Sequence, residues 1–306
     1  MKSRHMPEPK TLFFAGLARD CADNLEANLN SLIRIIDSSE VYDCKIFLLE
    51  NDSNDETGAI LDSFQNSNPA QVRLWRLPGL AVAKPDRIER LAWCRNFLLE
   101  KILEDEYSHS SNSIYSPIDL DSEIVLSLVP GKFWEAVDYL LTSSFQGFFP
   151  ASFPYYYDIL ALRCPGWVEA DHCELVAQSR DRLGWFKSLD RHLFSRQYSI
   201  KSFANQNIIS VRSAFGGIGI YQLAAVGDSR YSAKWLGHCF ECEHVAFNYQ
   251  MSNLGIYCNL IVQAPSEHIS FQLMTSWQRI CFRANCWLKD LRRNFVLTCK
   301  QVRGNL

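Results

Sequence analysis

The sequence has little excess charge of either sign. Its 31 Lys and Arg against 34 Asp and Glu leave a formal net charge of −3, which removes any whole-chain electrostatic reason to expect a nucleic-acid partner. It has no apolar run of the roughly 18–20 residues needed to cross a bilayer. The opening residues, MKSRHMPEPK, are basic, but no apolar stretch follows, so they do not read as a secretory leader. A cytoplasmic protein is the expectation. Internal repeats, low-complexity tracts and an interdomain linker are also missing, which excludes solenoid and bead-on-string architectures. Glycine-rich phosphate loops are missing too: GLARDCADN after the first apolar run has no such pattern, and FGGIGIY lacks both a P-loop lysine and a dinucleotide fingerprint.

Cysteine, in contrast, is plentiful. Eleven thiols, an odd number with no export signal, read as free cysteines in a reducing compartment. Cys239 and Cys242 form a CxxC beside His238 and His244. A structural zinc site needs a second ligand pair, for which RCPGWVEADHC offers only Cys164, His172 and Cys173 at a loose spacing. The reading is buried, unreactive thiols.

With 47% hydrophobic residues in 306, the chain can bury a large core. TLFFAGLA (11–18) reads as a buried strand, and Leu25, Leu29, Leu32, Ile33 and Ile36 fall at helical spacing after it. CKIFLLE is a second strand ending at Glu50, NDSNDETG a capping turn before a helix, and QVRLWRL a third strand. Over 86–103, Ile88, Leu91, Ala92, Leu98, Leu99 and Ile102 mark an amphipathic helix. Strands alternating with helices predict an α/β protein with a mostly parallel central sheet and helices on both faces, whose ligands bind at the carboxyl ends of the strands.

At such an end stands SIYSPIDLDSEIV, with Asp119 and Asp121 one residue apart. In an extended chain both project to one side and repel unless a positive charge lies between them. Mg²⁺ or Mn²⁺ suits two hard carboxylates that leave positions open for phosphate oxygens, whereas Asp-x-Asp alone also arises in ordinary turns. The second acidic loop, ENDSNDET, falls on the same edge and favours a site.

LFFAGLARDCADNLEANLNSL followed by IFLLENDSNDET resembles the amino-terminal half of the GT-A type nucleotide-sugar glycosyltransferases. RIERLAWCRNFLLEKI, YYYDILALR, VRSAFGGIGIY and FECEHVAF resemble, in the same order, blocks of the fungal capsule-associated α-1,3-mannosyltransferases. The resemblance covers about residues 11–250. Departures are IDLD where the fungal proteins have Asn-Asp, Phe240 where they have serine, and the lack of their membrane anchor. The resemblance implies a GT-A (Rossmann-like) fold over 11–270, with a nucleotide-binding part 11–125 and an acceptor and sugar part 126–270, after a flexible 1–10. It implies a metal-dependent transferase moving a sugar from a nucleotide-sugar donor, GDP-mannose first and a UDP-sugar as the alternative, to a glycan or lipid-linked glycan. With an α-linked donor and product, the mechanism retains configuration. A nucleotidyltransferase and a non-catalytic nucleotide-sugar-binding module are the rival readings.

The site residues follow. Asp119, Asp121 and His268 are the implied metal ligands. Glu50 and Asp52 stand where the family meets the base and ribose, and Arg19 follows the first strand, where a cation can face a phosphate. Arg87, Arg95 and Asn96 lie on the amphipathic helix, touching donor phosphate or orienting the Asp-x-Asp loop. Gly216 and Gly217 suggest close approach of backbone to backbone or to the donor sugar. Asp158 either holds sugar hydroxyls or pairs with Arg163. Glu241 and Glu243 are the carboxylates for base catalysis or for steadying an oxocarbenium-like centre. Finally, 271–306 carries seven Lys or Arg against Asp290 alone, interleaved with Trp277, Ile280, Trp287 and Leu291. It reads as a basic amphipathic helix lying on an anionic membrane at its inner face, or as a helix packed on the body with its basic face in water.

Overall fold

The first strand shows how the sheet is buried from both sides. In β1 (Lys10–Ala18), Leu12 and Phe14 join one apolar layer while Phe13 and Ala15 join the other, and all four are buried. Continuous apolar character, without polar alternation, is what a two-sided parallel strand requires. The computed structural model describes residues 10–203, 205–237, 239–265 and 271–304, so the implied ligand His268 lies outside the described residues.

The other strands are β2 (Tyr42–Glu50), β3 (Val72–Arg76), β4 (Ile114–Asp119), β5 (Gly147–Phe153), β6 (Ile208–Val211), β7 (Ile220–Gln222) and β8 (Leu254–Gln263). They form one eight-stranded sheet in the order β3-β2-β1-β4-β7-β5-β8-β6. The pairs among β3, β2, β1 and β4 are parallel, as is β5–β8, while β7 runs antiparallel to β4 and β5 and β6 antiparallel to β8. The fold is α/β with a mostly parallel sheet, as expected, and both halves of the chain contribute to it.

Helices α1 (Ala22–Asp37), α2 (Thr57–Ser67) and α4 (Pro130–Thr142) cover one face; α3 (Arg87–Leu103) and α6 (Glu243–Asn248) cover the other. Leu25, Leu29, Leu32 and Ile35 form the buried stripe of α1. Asp86 starts α3 sharply, because its side chain accepts from the Ile88 and Glu89 N–H groups that would otherwise be unpaired. Beyond the sheet lie α5 (His172–Leu183) and the long terminal helix α7 (Ser276–Gly304). Among the described residues, no helix is long and apolar enough to cross a membrane.

Within FGGIGIY, Ile220 and Tyr221 begin β7, Ile218 bridges to Ile118 of β4, and Gly216 and Gly217 form a left-handed turn with φ of +68° and +79°. Gly217 is needed for space as well as for φ, since a Cβ there would overlap Ile124 Cδ1 and come within 2.8 Å of the Tyr157 hydroxyl. Its close approach is to protein.

Candidate functional site

Register places the carboxyl ends of three strands on one edge, with Ala18 beside Glu50 and Leu17 beside Asp119. A cleft of about 500 Å³ opens there, within the range of sites that enclose small ligands. Its polar wall brings together Arg19, Asp20, Asn51, Arg87, Arg90, Arg95, Asp119, Asp121, Asp158, Glu243 and His244.

The Asp119–Asp121 turn is held from two directions. Leu120 is fully buried between the two acids, in the layer that includes α1. From α1, the buried Asn28 amide donates to the Leu120 carbonyl at 3.0 Å and the Ser122 carbonyl at 2.7 Å. On the other side, the Asp119 N–H donates to the Gly217 carbonyl at 2.8 Å. The neighbouring Gly216 N–H donates to Asp158 Oδ2 at 2.9 Å. One glycine turn therefore fixes both Asp119 and Asp158.

Beneath the cleft, Arg95 is 5% exposed and bridges two acids, donating Nη2 to Asp119 at 3.0 Å and Nε to Glu243 at 3.1 Å. A buried guanidinium is stable only with such partners. Its Nη1 has no hydrogen-bond partner, and the guanidinium lies 5.0 Å from the Phe215 ring centre. The Asp119 side chain is about a third exposed (32%). Burial pushes its carboxyl up to about 7, with the charges of Asp121 and Asp158 adding to the rise and Arg95 opposing it. Glu243 is buried at 3%. Next to it, His244 stacks on Phe215 at 3.7 Å between ring centres; neither ring nitrogen is hydrogen-bonded, and Nε2 lies 3.7 Å from Glu243 Oε1. Desolvation holds it neutral, well below the usual histidine range.

Arg19, Arg87, Arg95, Asp119, Asp121, Asp158 and Glu243 thus line one cleft. Other assigned residues are placed elsewhere. Glu241 is not among the cleft-lining residues: it accepts from Arg163 at 3.1 Å, and Arg163, 2% exposed, also pairs with Asp171 at 2.8 Å. Asp158 is held by the N–H groups of Gly216 and Ala161. Asn96 is engaged in both directions by the Tyr231 backbone at 2.8 Å, which anchors α3 and leaves its amide turned from the cleft-lining set. Asp52, at φ +53°, clasps the N–H groups of Gly79 and Ala81, and these bonds hold its carboxyl below the usual range. Glu50 accepts from the Ser53 N–H at 2.8 Å, and from this loop it is Asn51 that lines the cleft. Gly216 and Gly217 position the acids from behind rather than lining the cleft.

Two of the residues that escaped sequence reasoning show why. Asn28 lies on the apolar stripe of α1 between Leu25 and Leu29, and a polar residue at a buried register was the signal available. Arg90, one turn beyond Arg87, lines the cleft while donating to the Lys84 carbonyl at 2.7 Å; nothing in the sequence distinguishes it from a solvated arginine.

No protein-family model and no curated protein matches the chain. Among solved structures, the chain is similar to the mannosyltransferase PcManGT from Pyrobaculum calidifontis, solved with GDP-Man and Mn²⁺, at 12% identity and a TM-score of 0.47, over 84% of this chain and 57% of that one. It is similar to TarS of S. aureus at 10% identity and a TM-score of 0.46, over 83% of this chain and 36% of that one. A third is glucosyl-3-phosphoglycerate synthase from Mycobacterium tuberculosis, solved with Mn²⁺, UDP and phosphoglyceric acid, at 14% identity and a TM-score of 0.35, over 71% and 57% of the two chains. The chain spans 57% or less of the length of each of these three.

Proposed function

We propose that this chain is a metal-dependent glycosyltransferase of the GT-A type, moving a sugar from a nucleoside-diphosphate donor, GDP-mannose first, to a glycan or lipid-linked glycan. The observation that carries the reading is Asp119 and Asp121 at the end of β4, opening into a cleft they share with Arg19, Arg87 and Arg90. The ordered blocks resembling the fungal capsule-associated mannosyltransferases support the donor choice.

The donor set fits Mn²⁺ or Mg²⁺. Both acids offer hard oxygen ligands, and a divalent cation would favour the ionised form of Asp119 against the burial and like charges that raise it. Bound there, the cation would offset negative charge gathering on the departing nucleoside diphosphate. The chain's own residues do the rest. Arg95 and the Gly217 carbonyl fix Asp119 so that its carboxylate need not reorganise. Arg19, Arg87 and Arg90 supply positive charge for the diphosphate. Asp158, oriented by the Gly216 N–H, addresses sugar or acceptor hydroxyls, and Glu243 is held in place by the Arg95 guanidinium. Glu243 and Asp158 therefore replace Glu241 as the acids to test for transfer.

Calorimetry with GDP and UDP, each with and without Mn²⁺, followed by product analysis with the matching sugar donor, tests the reading. Metal-dependent diphosphate binding and sugar transfer are expected. Equal binding in EDTA overturns the metal role; binding without turnover on any donor identifies a binding module; pyrophosphate release from a nucleoside triphosphate identifies a nucleotidyltransferase.

The same reading takes the acceptor at an anionic membrane, approached through α7. This helix holds the body through Phe282, packed on Phe186 and Phe194, through buried Cys286, and through Asp290, which pairs with Arg180 at 3.0 Å. Its opposite side presents Trp277, Ile280, Trp287, Leu288 and Leu291, with Trp277 72% and Trp287 61% exposed. Exposed Arg292 stands beside that apolar stripe, while Arg279 lies on the body side, its guanidinium 6.0 Å from the Phe271 ring centre. Tryptophans in the interface with an arginine at headgroup level match an anionic lipid surface. Full-length protein should co-sediment with phosphatidylserine vesicles at low salt, and Trp287→Ser with Trp277→Ser should abolish this. Sedimentation unchanged in the double variant, or a concentration-dependent dimer with no lipid binding, overturns it.

A further inference from the structure

Outside the cleft, the fold joins two segments that the sequence keeps far apart. Asp171 caps α5, its Oδ1 accepting from the Cys173 N–H at 2.8 Å and the Glu174 N–H at 3.2 Å. Against that first turn lies the 235–240 hairpin, closed by the Trp235–Phe240 bridge and by the Leu236 N–H donating to the Cys239 carbonyl at 2.9 Å. The ligand atoms of Asp171, Cys173 and Cys239 all lie within 4.8 Å of one another. His172 Nε2 is 3.5 Å from Cys173 Sγ, and the ring is 7% exposed with Nδ1 unpartnered.

We propose that Cys173, Cys239 and Asp171 form a site for Zn²⁺ or a cation of like softness, with water in the fourth position, distinct from the oxygen site at Asp119 and Asp121. Bond lengths of about 2.3 Å to sulfur and 2.0–2.2 Å to nitrogen or oxygen put the edges of a tetrahedral site at about 3.5–3.8 Å. The ligand atoms of Asp171, Cys173 and Cys239 need to close by about 1 Å at most, and His172 Nε2 borders the site through Cys173. Two sulfurs and a carboxylate match the preference of zinc and not that of Mg²⁺ or Mn²⁺. On binding, each thiol releases its proton to solvent, leaving two thiolates and Asp171 around a doubly charged ion. The remaining negative charge faces Arg163, which reaches Asp171 Oδ2 at 2.8 Å and orients that ligand from outside.

A disulfide is the competing use of the two sulfurs. Burial pushes the Cys173 thiol up to about 12 and raises Cys239 as well, so without metal both are protonated and slow to oxidise. A metal instead lowers them by direct charge. The occupied site staples the hairpin to α5, and Phe240, in that hairpin, lines the cleft, as do Cys242 and Glu243 just after it. Zinc thus stiffens one cleft wall without touching the reacting groups.

The test uses full-length protein stripped with chelator and kept reduced. One equivalent of Co²⁺ should produce a thiolate-to-metal charge-transfer band in the near ultraviolet, which carboxylates at Asp119 and Asp121 cannot give. Cys173→Ser and Cys239→Ser should each lose the band and weaken Zn²⁺ binding at least about tenfold, while Cys258→Ser keeps both. Should a variant fail to fold, zinc protection of Cys173 and Cys239 from alkylation in the wild-type protein, mapped by mass spectrometry, gives the same answer. No charge-transfer band, a band that survives both substitutions, or alkylation indifferent to zinc overturns the proposal. A Cys173–Cys239 disulfide formed in air by a protein that takes up no zinc when reduced overturns it in favour of a redox latch. Donor binding plays no part in these readouts, so the proposal stands or falls apart from the transferase reading.

Discussion

Replacing Gly217 with alanine should separate conformational strain from crowding at the turn that holds Asp119. At φ +79°, an L-residue pays about 1–2 kcal/mol for the left-handed region. The added Cβ also overlaps Ile124 Cδ1 and approaches the Tyr157 hydroxyl at 2.8 Å. Ile124 is 1% exposed, so it has little room to retreat, and overpacking of this kind costs about 1–3 kcal/mol. The expected total is about 2–5 kcal/mol. Gly166 provides an internal control, since its φ is +74° and a Cβ there meets nothing within 4 Å. Gly166→Ala should therefore lose only the conformational part, about 1–2 kcal/mol. Urea unfolding followed by tryptophan fluorescence measures both, with unchanged m-values required for the comparison. Because the Gly217 carbonyl accepts the Asp119 N–H, Mn²⁺-dependent diphosphate binding should weaken in Gly217→Ala and not in Gly166→Ala. Equal destabilisation by the two substitutions would refute the close packing, and intact metal-dependent binding in folded Gly217→Ala would refute the positioning role.

Three further outcomes are expected. Asp121→Ala should abolish manganese-dependent nucleoside-diphosphate binding while leaving the melting temperature of metal-free protein nearly unchanged, because removing one of two like charges relieves repulsion; a large fall in that temperature contradicts the ligand role. Arg95→Met leaves Glu243, 3% exposed, without its cation, and should cost about 3–5 kcal/mol in urea unfolding, much of it recovered in Arg95→Met with Glu243→Gln; no recovery means the pair is not the source of the loss. With its carboxyl raised from 3.8 to about 7, Asp119 contributes stability to the metal-free fold that is full below pH 4 and lost as pH rises through 7. Manganese binding should accordingly release a proton near pH 6, read as buffer-dependent heat in calorimetry, and Asp119→Asn should remove both effects.

The first half of the fold could be read from the sequence because its elements carry their own periodicity. The apolar runs of β1 and β2 and the stripe of α1 each declare period and length locally, and Asp119 follows from them as a strand end. From β6 onward the reading weakens. β7 is three residues long, and the glycines before it serve a turn in which Ile124 and Tyr157, distant in sequence, leave no room for a side chain at Gly217. The site divides in the same way. Arg95 reads as helical and charged, but only the fold shows that its partners are Asp119 and Glu243. Glu241 and Glu243 share one short segment, and which of them faces the cleft depends on Arg163 pulling Glu241 away. Spacing along the chain argues against zinc, whereas Cys173 and Cys239 meet across it. For α7, the sequence left open which face points outward, and packing of Phe282 and Cys286 decides it.

The place of β7 has a consequence for how the chain is made. Residues 10–119 supply β3-β2-β1-β4 without help from later sequence, so this half can assemble as soon as it leaves the ribosome. Its outer edge is then β4, whose partner β7 begins at Ile220. At about 5–20 residues per second, that edge waits roughly 5–20 s. An open strand is a template for other nascent chains. Pro117 stands inside β4 and offers no N–H to a wrong partner, so the strand is a poor template until Gly219 arrives and donates to the Pro117 carbonyl at 3.0 Å.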